Sequence, residues 1–294
     1  MGELYRAISA DGSAFAAVLD AKDIVSEIEK LHKTSAVVTA GLGRLTIAAS
    51  LMGYMLKGES DCLTLRVDAD GPTGQLVAVS DSRGNVKSYV SNPLVELPLN
   101  SNGKLDVAGA VGKNGTLAVV KDLGLRDPYV GVIPLVSGEI AEDVANYYAV
   151  SEQIPTVCAL GVLVDTDLSV KSAGGFLVQL LPFADEKCID IIEKNVASMR
   201  PISALLNEKI SPREIADMLL KDLEPNELDT ASPVYYCDCS RERTEKVLIS
   251  IGQKELNSIA AEGKDTEVKC HFCGKNYVFT PQEISQLAEG ASVN

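Results

Sequence analysis

The 294-residue chain contains no tryptophan and only two histidines, and aromatic residues make up 5% of it. The two histidines, His32 and His271, leave little from which to build a Ser-His-Asp or Cys-His nucleophilic centre. Gly-rich phosphate loops are missing, which removes nucleotide chemistry of the P-loop kind. Positive charge is in deficit: 27 Lys and Arg face 41 Asp and Glu, giving a net charge of −14. Such a chain repels phosphate backbones, which proteins normally hold through Lys and Arg that release counterions. Nucleic acid is therefore not an expected partner. No uninterrupted apolar run reaches membrane-spanning length; the longest, residues 36–56, is broken by Arg44, by glycines and by hydroxyl residues. The N-terminal segment carries Glu3, Arg6, Asp11 and Asp20 and lacks the apolar block of a secretory signal. The expectation is a cytoplasmic protein with no membrane partner.

What is present is the composition of a soluble globular protein, 46% apolar and 23% charged. The length lies where one core stops growing, so a large domain plus at least one smaller unit is expected. Seven cysteines remain to be explained. In a reducing cytosol clustered cysteines serve as metal ligands or redox centres rather than as a disulfide framework. Cys62, Cys158 and Cys188 stand alone in apolar segments and read as small buried hydrophobes.

Along the chain, residues 22–57 read as helical in two apolar runs, with Gly58 as the stop. From Asp61 the period shortens to two. Strands are expected at 63–67, 75–80, 86–90, 116–121 and 131–136, with Arg83-Gly84-Asn85 as a hairpin turn. A helix over 139–148 and a hairpin of 158–164 with 170–181 complete an α+β domain over residues 1–181. Residues 182–231 differ in composition, with 11 acidic and 6 basic residues. Ile189, Ile192, Val196 and Met199 fall on one helical face, and Ser211-Pro212-Arg213-Glu214 is a capping box. This predicts an amphipathic helical linker. Short helices with narrow apolar stripes are marginal in water, so the linker is either a fixed connector or a region that folds only against neighbours.

Residues 232–294 hold the other four cysteines, and Thr280-Pro281-Gln282-Glu283 starts a closing helix. A module this short rarely sustains its own core, and a structural metal is the usual remedy. The cysteines form two close pairs, Cys237-Asp238-Cys239 and Cys270-His271-Phe272-Cys273. Four thiolates satisfy tetrahedral zinc and leave no open position for water, which marks a structural rather than a catalytic site. His271 is an alternative ligand. Arg241, Arg243, Lys269 and Lys275 either offset the negative charge of a zinc tetrathiolate or lie solvated, and Ser240 is a thiolate donor or a turn serine. Two roles stay open from chemistry alone. One is an inert zinc knob. The other is a redox sensor: a disulfide across Cys-x-Cys closes a small strained ring of the labile kind, and losing the metal unfolds what it holds. A thiol-disulfide oxidoreductase lacks the strand-then-helix setting around Cys270. A zinc-ribbon nucleic-acid binder is disfavoured by seven basic and nine acidic residues over 232–294.

The cysteine segment with Ser240-Arg241-Glu242 and Tyr277-Val278-Phe279 resembles the bacterial 33 kDa chaperonin family of redox-regulated heat-shock holdases. Ser91-Asn92-Pro93, the run from Gly112 to Leu117, the run from Lys121 to Leu125, the run from Ser151 to Pro155, and Gly174-Gly175-Phe176 extend the resemblance over essentially the whole chain. The resemblance implies a chaperone, not an enzyme, that works without ATP and is inactive while reduced and carrying one zinc per chain. It implies that stress forms two disulfides, Cys237 with Cys239 and Cys270 with Cys273, with zinc released and the linker unfolded. It implies a client-binding and dimerising domain over 1–181, a linker over 182–231 and a redox-sensing module over 232–294. Its implied partners are unfolding clients, a second copy of the chain, and ATP-driven refolding chaperones.

Overall fold

The fold was obtained as a computed structural model that describes residues 2–182 and 184–290. The chain divides into two units, Met1–Tyr236 and Cys237–Asn294. The architecture is α+β, with two five-stranded sheets in the first unit and one hairpin in the second.

The first unit opens with a hairpin of β1 (Glu3–Ile8) and β2 (Ala14–Asp20) that the sequence reading did not anticipate. In β2 six consecutive residues are buried, so the alternation that betrays a strand is absent. The expected helical stretch at 22–57 is two helices, α1 (Lys22–His32) and α2 (Ala36–Gly53). They part at Lys33, which takes a left-handed conformation with φ 53°. The second ends at Gly53, ahead of the expected Gly58, and Gly53 lies against β4 (Leu76–Asp81), where a Cβ would sit 2.2 Å from Ser80 Oγ. By length and composition α2 passes for a membrane span, yet 89% of it is buried inside the protein. It is the core helix, packed on strands of both sheets.

The second sheet runs β5-β4-β3-β6-β7, built from β3 (Cys62–Ala69), β4, β5 (Val86–Val90), β6 (Gly115–Asp122) and β7 (Tyr129–Pro134). All five expected strands are present. The turn at Arg83-Gly84-Asn85 is tied by the Asp81 carboxylate, which accepts from the Arg83 and Asn85 amides, and Gly84 supplies φ 78°. After α3 (Val107–Val111), the helix expected at 139–148 appears as α4 (Ala141–Tyr147), followed by a π turn at Tyr148–Glu152. The hairpin of β8 (Thr156–Val164) and β9 (Val170–Leu180) completes the first sheet, ordered β10-β1-β2-β9-β8.

Residues 182–231 form α5 (Glu186–Ser198), α6 (Ile202–Asn207) and α7 (Pro212–Leu219), and then β10 (Asn226–Ala231), a strand where helix was expected. The Ser211 capping box is formed: Ser211 Oγ accepts from the Glu214 amide, and Glu214 accepts from the Ser211 amide at 2.9 Å. The apolar stripe of α5 centres on Cys188 and Ile192, which are buried, with Val196 and Met199 partly so; Ile189 lies at its margin. With Leu205, Leu206, Ile215 and Leu219 it covers a sheet face made by Tyr5, Val18, Phe176 and Val178. Of the three isolated cysteines only Cys188 is fully buried; Cys62 and Cys158 are half-buried.

β10 pairs antiparallel with β1 although 223 residues separate Arg6 from its partner Asp229. The Arg6 guanidinium forms a fork with the Asp229 carboxylate and lies over the Tyr54 ring at 4.6 Å, while the Tyr54 hydroxyl donates to the same carboxylate. After β10, the Val86 amide donates to Val234 O and the Tyr236 amide donates to Val86 O, laying residues 234–236 along β5. His32 ends α1, and its Nε2 lies 2.9 Å from Ser88 O, which also accepts from the Tyr235 hydroxyl.

The second unit contains α8 (Arg241–Ser250), α9 (Gln253–Ala261), the hairpin of β11 (Thr266–Lys269) and β12 (Asn276–Phe279), and α10 (Pro281–Gly290). The expected capping box opens α10: the Thr280 amide donates to Glu283, whose own amide donates to Thr280 Oγ1. Its core is small, with Leu248, Leu256, Tyr277, Phe279, Ile284 and Ala288 buried.

Hydrogen bonding from Arg6 holds the Asp229 carboxyl below the usual carboxylate range, against the opposing effect of burial. A lowered folded-state value stabilises above the unfolded value and is lost as pH falls through the folded one. Asp229→Asn should therefore cost about 1 kcal/mol at neutral pH, a modest figure because the pair is partly exposed. It should also speed hydrogen exchange at the β10 amides, and in the native protein acidification should do the same. Unchanged β10 protection in the variant would contradict the role given to this fork.

Candidate metal centre

The four clustered cysteines of the sequence converge in space. Sγ atoms of Cys237, Cys239, Cys270 and Cys273 all lie within 4.8 Å of one another, each on a half-buried residue. Cys237 and Cys239 precede α8, and Cys270 and Cys273 lie in the loop of the β11–β12 hairpin. That loop is a tight turn: the Gly274 amide donates to Cys270 O and the Cys270 amide to Lys275 O, both at 2.9 Å. Gly274 makes the reversal with φ 72°, a conformation a side chain would strain.

The geometry fits a tetrahedral metal. Metal–sulfur bonds of about 2.3 Å place tetrahedral sulfurs about 3.8 Å apart. Cys237 and Cys270 are separated by 3.7 Å, and Cys239 and Cys273 by 3.4 Å. These short approaches cross between the two pairs, as expected when each pair supplies one edge of a tetrahedron. His271 is exposed on the turn and lies outside the cluster, so four sulfurs are the atoms that could hold a metal here.

The surrounding residues divide differently from the sequence expectation. Ser240 caps α8, its Oγ accepting from the Arg243 amide at 3.2 Å. Arg243 pairs with Asp238, placing a positive charge beside the one acidic spacer of the motif. Arg241 acts at a distance from the sulfurs: it donates to Val278 O at 2.8 Å and to Glu283 at 2.6 Å, with its guanidinium 4.2 Å over the Phe279 ring. It joins α8, β12 and α10. Lys275 sits over the Tyr277 ring at 5.1 Å, and Lys269 ends β11 in an exposed position.

Tyr277 is the residue the sequence reading missed as part of the site. Its hydroxyl donates to Cys239 Sγ at 3.2 Å. The aromatic type at that position was visible, but its aim at sulfur follows from the hairpin register, in which Tyr277 pairs with Val268 and alternates inward with Phe279. The electrostatic consequence is asymmetry. Burial pushes the Cys237 and Cys273 thiols up. Burial acts on Cys239 in the same sense, but hydrogen bonding from Tyr277 and the neighbouring thiols outweighs it and brings that thiol down to about 7.

Known proteins resemble the chain over nearly its whole length. A family model described as Hsp33 protein matches residues 2–280. A 33 kDa chaperonin of Clostridioides difficile is 49% identical over 284 residues, covering 97% of each chain. Another, from Clostridium botulinum strain Langeland, is 44% identical over 287 residues, covering 98% of this chain and 97% of the relative. The crystal structure of the 33 kDa chaperonin (heat shock protein 33 homolog) from Thermotoga maritima superposes with a TM-score of 0.89 at 40% identity, covering 99% of both chains.

Removing one sulfur tests the donor set. Cys270→Ser should weaken zinc binding by more than the ~10–100-fold typical of losing an outer-shell partner. His271→Ala should leave the affinity as it is. Competition with a chelator measures both, and equal losses in the two variants would contradict a four-sulfur site.

Proposed function

The chain belongs to the Hsp33 family, and from that premise we propose that it is a redox-regulated molecular chaperone of the holdase type. It acts without ATP and is not an enzyme: it binds unfolding proteins and prevents their aggregation during oxidative and heat stress. The observation that carries this reading is four thiols gathered in a unit whose own apolar core is six residues. Below about 70 residues such a core rarely supplies more than about 3–5 kcal/mol. Zinc, one ion per chain, would supply through Cys237, Cys239, Cys270 and Cys273 a ligation energy of ~10–16 kcal/mol in modules of this kind. The fold of the unit then depends on keeping its thiolates.

Oxidation withdraws them. Peroxide converts one thiolate of a pair to a sulfenic acid, releasing hydroxide. The second sulfur attacks it, forming the disulfide and expelling the oxygen as water after one proton is taken up. Two peroxides consume the four thiolates, giving Cys237–Cys239 and Cys270–Cys273. Neither disulfide can act as a thiolate donor set, so the metal is released and the unit loses its principal stabilisation.

Residues 182–231 serve as the conditionally folded linker between a client-binding and dimerising domain, 1–181, and the sensing module, 232–294. This segment lies on the sheet face of Tyr5, Val18, Phe176 and Val178 and continues without a break into Cys237. Its release uncovers that apolar face, a surface suited to unfolding chains. The active form is a homodimer that passes clients to ATP-driven chaperones for refolding. Thiols of this kind suit the reducing cytoplasm, where the protein would rest inactive until stress.

Reduced protein should hold one zinc per chain, and peroxide with mild heat should release it while four thiols disappear. Only the oxidised form should suppress aggregation of a thermally unfolding client. Full suppression by reduced, zinc-loaded protein would refute the switch, and disulfides crossing between the two cysteine pairs would refute the pairing.

A further inference from the structure

The four sulfurs of the site are not equivalent. Among the described residues only Cys239 receives a side-chain hydroxyl, from Tyr277 at 3.2 Å. Tyr277 is 7% exposed and belongs to the core of the second unit, and its ring lies beneath the Lys275 ammonium. The donor is therefore carried on a side chain packed into that core. A hydrogen bond to a charged acceptor is stronger than one between neutral groups, and it draws electron density from the lone pair that would attack an oxidant. Nucleophilicity of sulfur falls as its charge is stabilised.

We propose that Tyr277 is a positioning residue that sets the oxidation threshold of the site, its hydroxyl holding Cys239 in a less nucleophilic state. The proposal rests on the redox-switch reading and deepens it. The balance of the oxidation is unchanged: peroxide still takes two electrons per disulfide and leaves as hydroxide and water. The hydroxyl of Tyr277 acts on the rate, by lowering the reactivity of one of the four sulfurs while keeping its ability to ligate. Asp238 carries the opposite influence, a negative charge beside the same sulfurs, but it is engaged by Arg243.

Tyr277→Phe keeps the ring and removes only the donor. Measured relative to the zinc each protein holds at the start, peroxide should release it about three- to tenfold faster from the full-length variant, the share of one charge-assisted hydrogen bond felt by the attacking sulfur. In cobalt(II)-substituted protein the sulfur-to-metal charge-transfer band should move to lower energy in Y277F, a signature that ring packing alone does not produce. Lys275→Met, which strips the cation from the same ring but leaves the hydroxyl, should change the release rate much less than Y277F does. Should Y277F fail to fold, native protein loaded with NMR-active cadmium provides the second test: the Tyr277 hydroxyl proton should be scalar-coupled to the metal through Cys239. Native release rate and band position in Y277F, or absence of that coupling, would overturn the assignment while leaving the switch intact. Failure of the native protein to bind metal at all would overturn the reading beneath it.

Discussion

Everything in the second unit depends on four sulfurs being held within 4.8 Å of one another by two segments that are remote in sequence. The segment before α8 offers Cys237 and Cys239, and the β11–β12 loop offers Cys270 and Cys273. Mutual repulsion of thiolates would drive these segments apart if nothing bound them together, and six buried apolar residues are a weak counterforce. Cross-linking by a tetrahedral metal inverts the balance. In the proposed switch the same chemistry makes the arrangement reversible, because an oxidant would act on the sulfurs that do the holding.

The first unit shows a second dependence of the same type, in packing rather than ligation. Residues 182–231 are rich in charge, yet their helices have apolar stripes that cover one face of a sheet, and β10 completes the sheet through Arg6 and Asp229. Short helices and one edge strand contribute little alone; their order comes from the face beneath them. Docked, the segment shares one apolar cluster with Tyr5, Val18, Phe176 and Val178 of the sheet beneath it. Covalent continuity from β10 through Tyr235 and Tyr236 to Cys237 ties this cover to the ligand set.

Much of this was legible in the sequence because it depends on local pattern. The strands of the second sheet alternate, the capping boxes at Ser211 and Thr280 are read from four residues each, and the gathering of the four cysteines follows from their identity and spacing. What escaped was set by distant partners or by double burial. β2 has no polar face to mark its period, since both sides are covered. β10 looks like part of a charged helical connector until β1, more than two hundred residues away, accepts it as a neighbour. In the sequence Ser240 reads as a thiolate donor or a turn serine, and Tyr277 only as part of the family resemblance; the hairpin register brings the Tyr277 hydroxyl to Cys239, while Ser240 caps α8.

The central claim is that metal ligation by the four cysteines is the folding energy of the second unit. Hydrogen exchange of the reduced protein, with and without a zinc chelator and with no oxidant present, tests it most directly. Loss of protection across α8, the β11–β12 hairpin and α10 on chelation, with β2 and β9 still protected, is the predicted result. Full retention of protection in residues 237–290 after complete metal removal would contradict it.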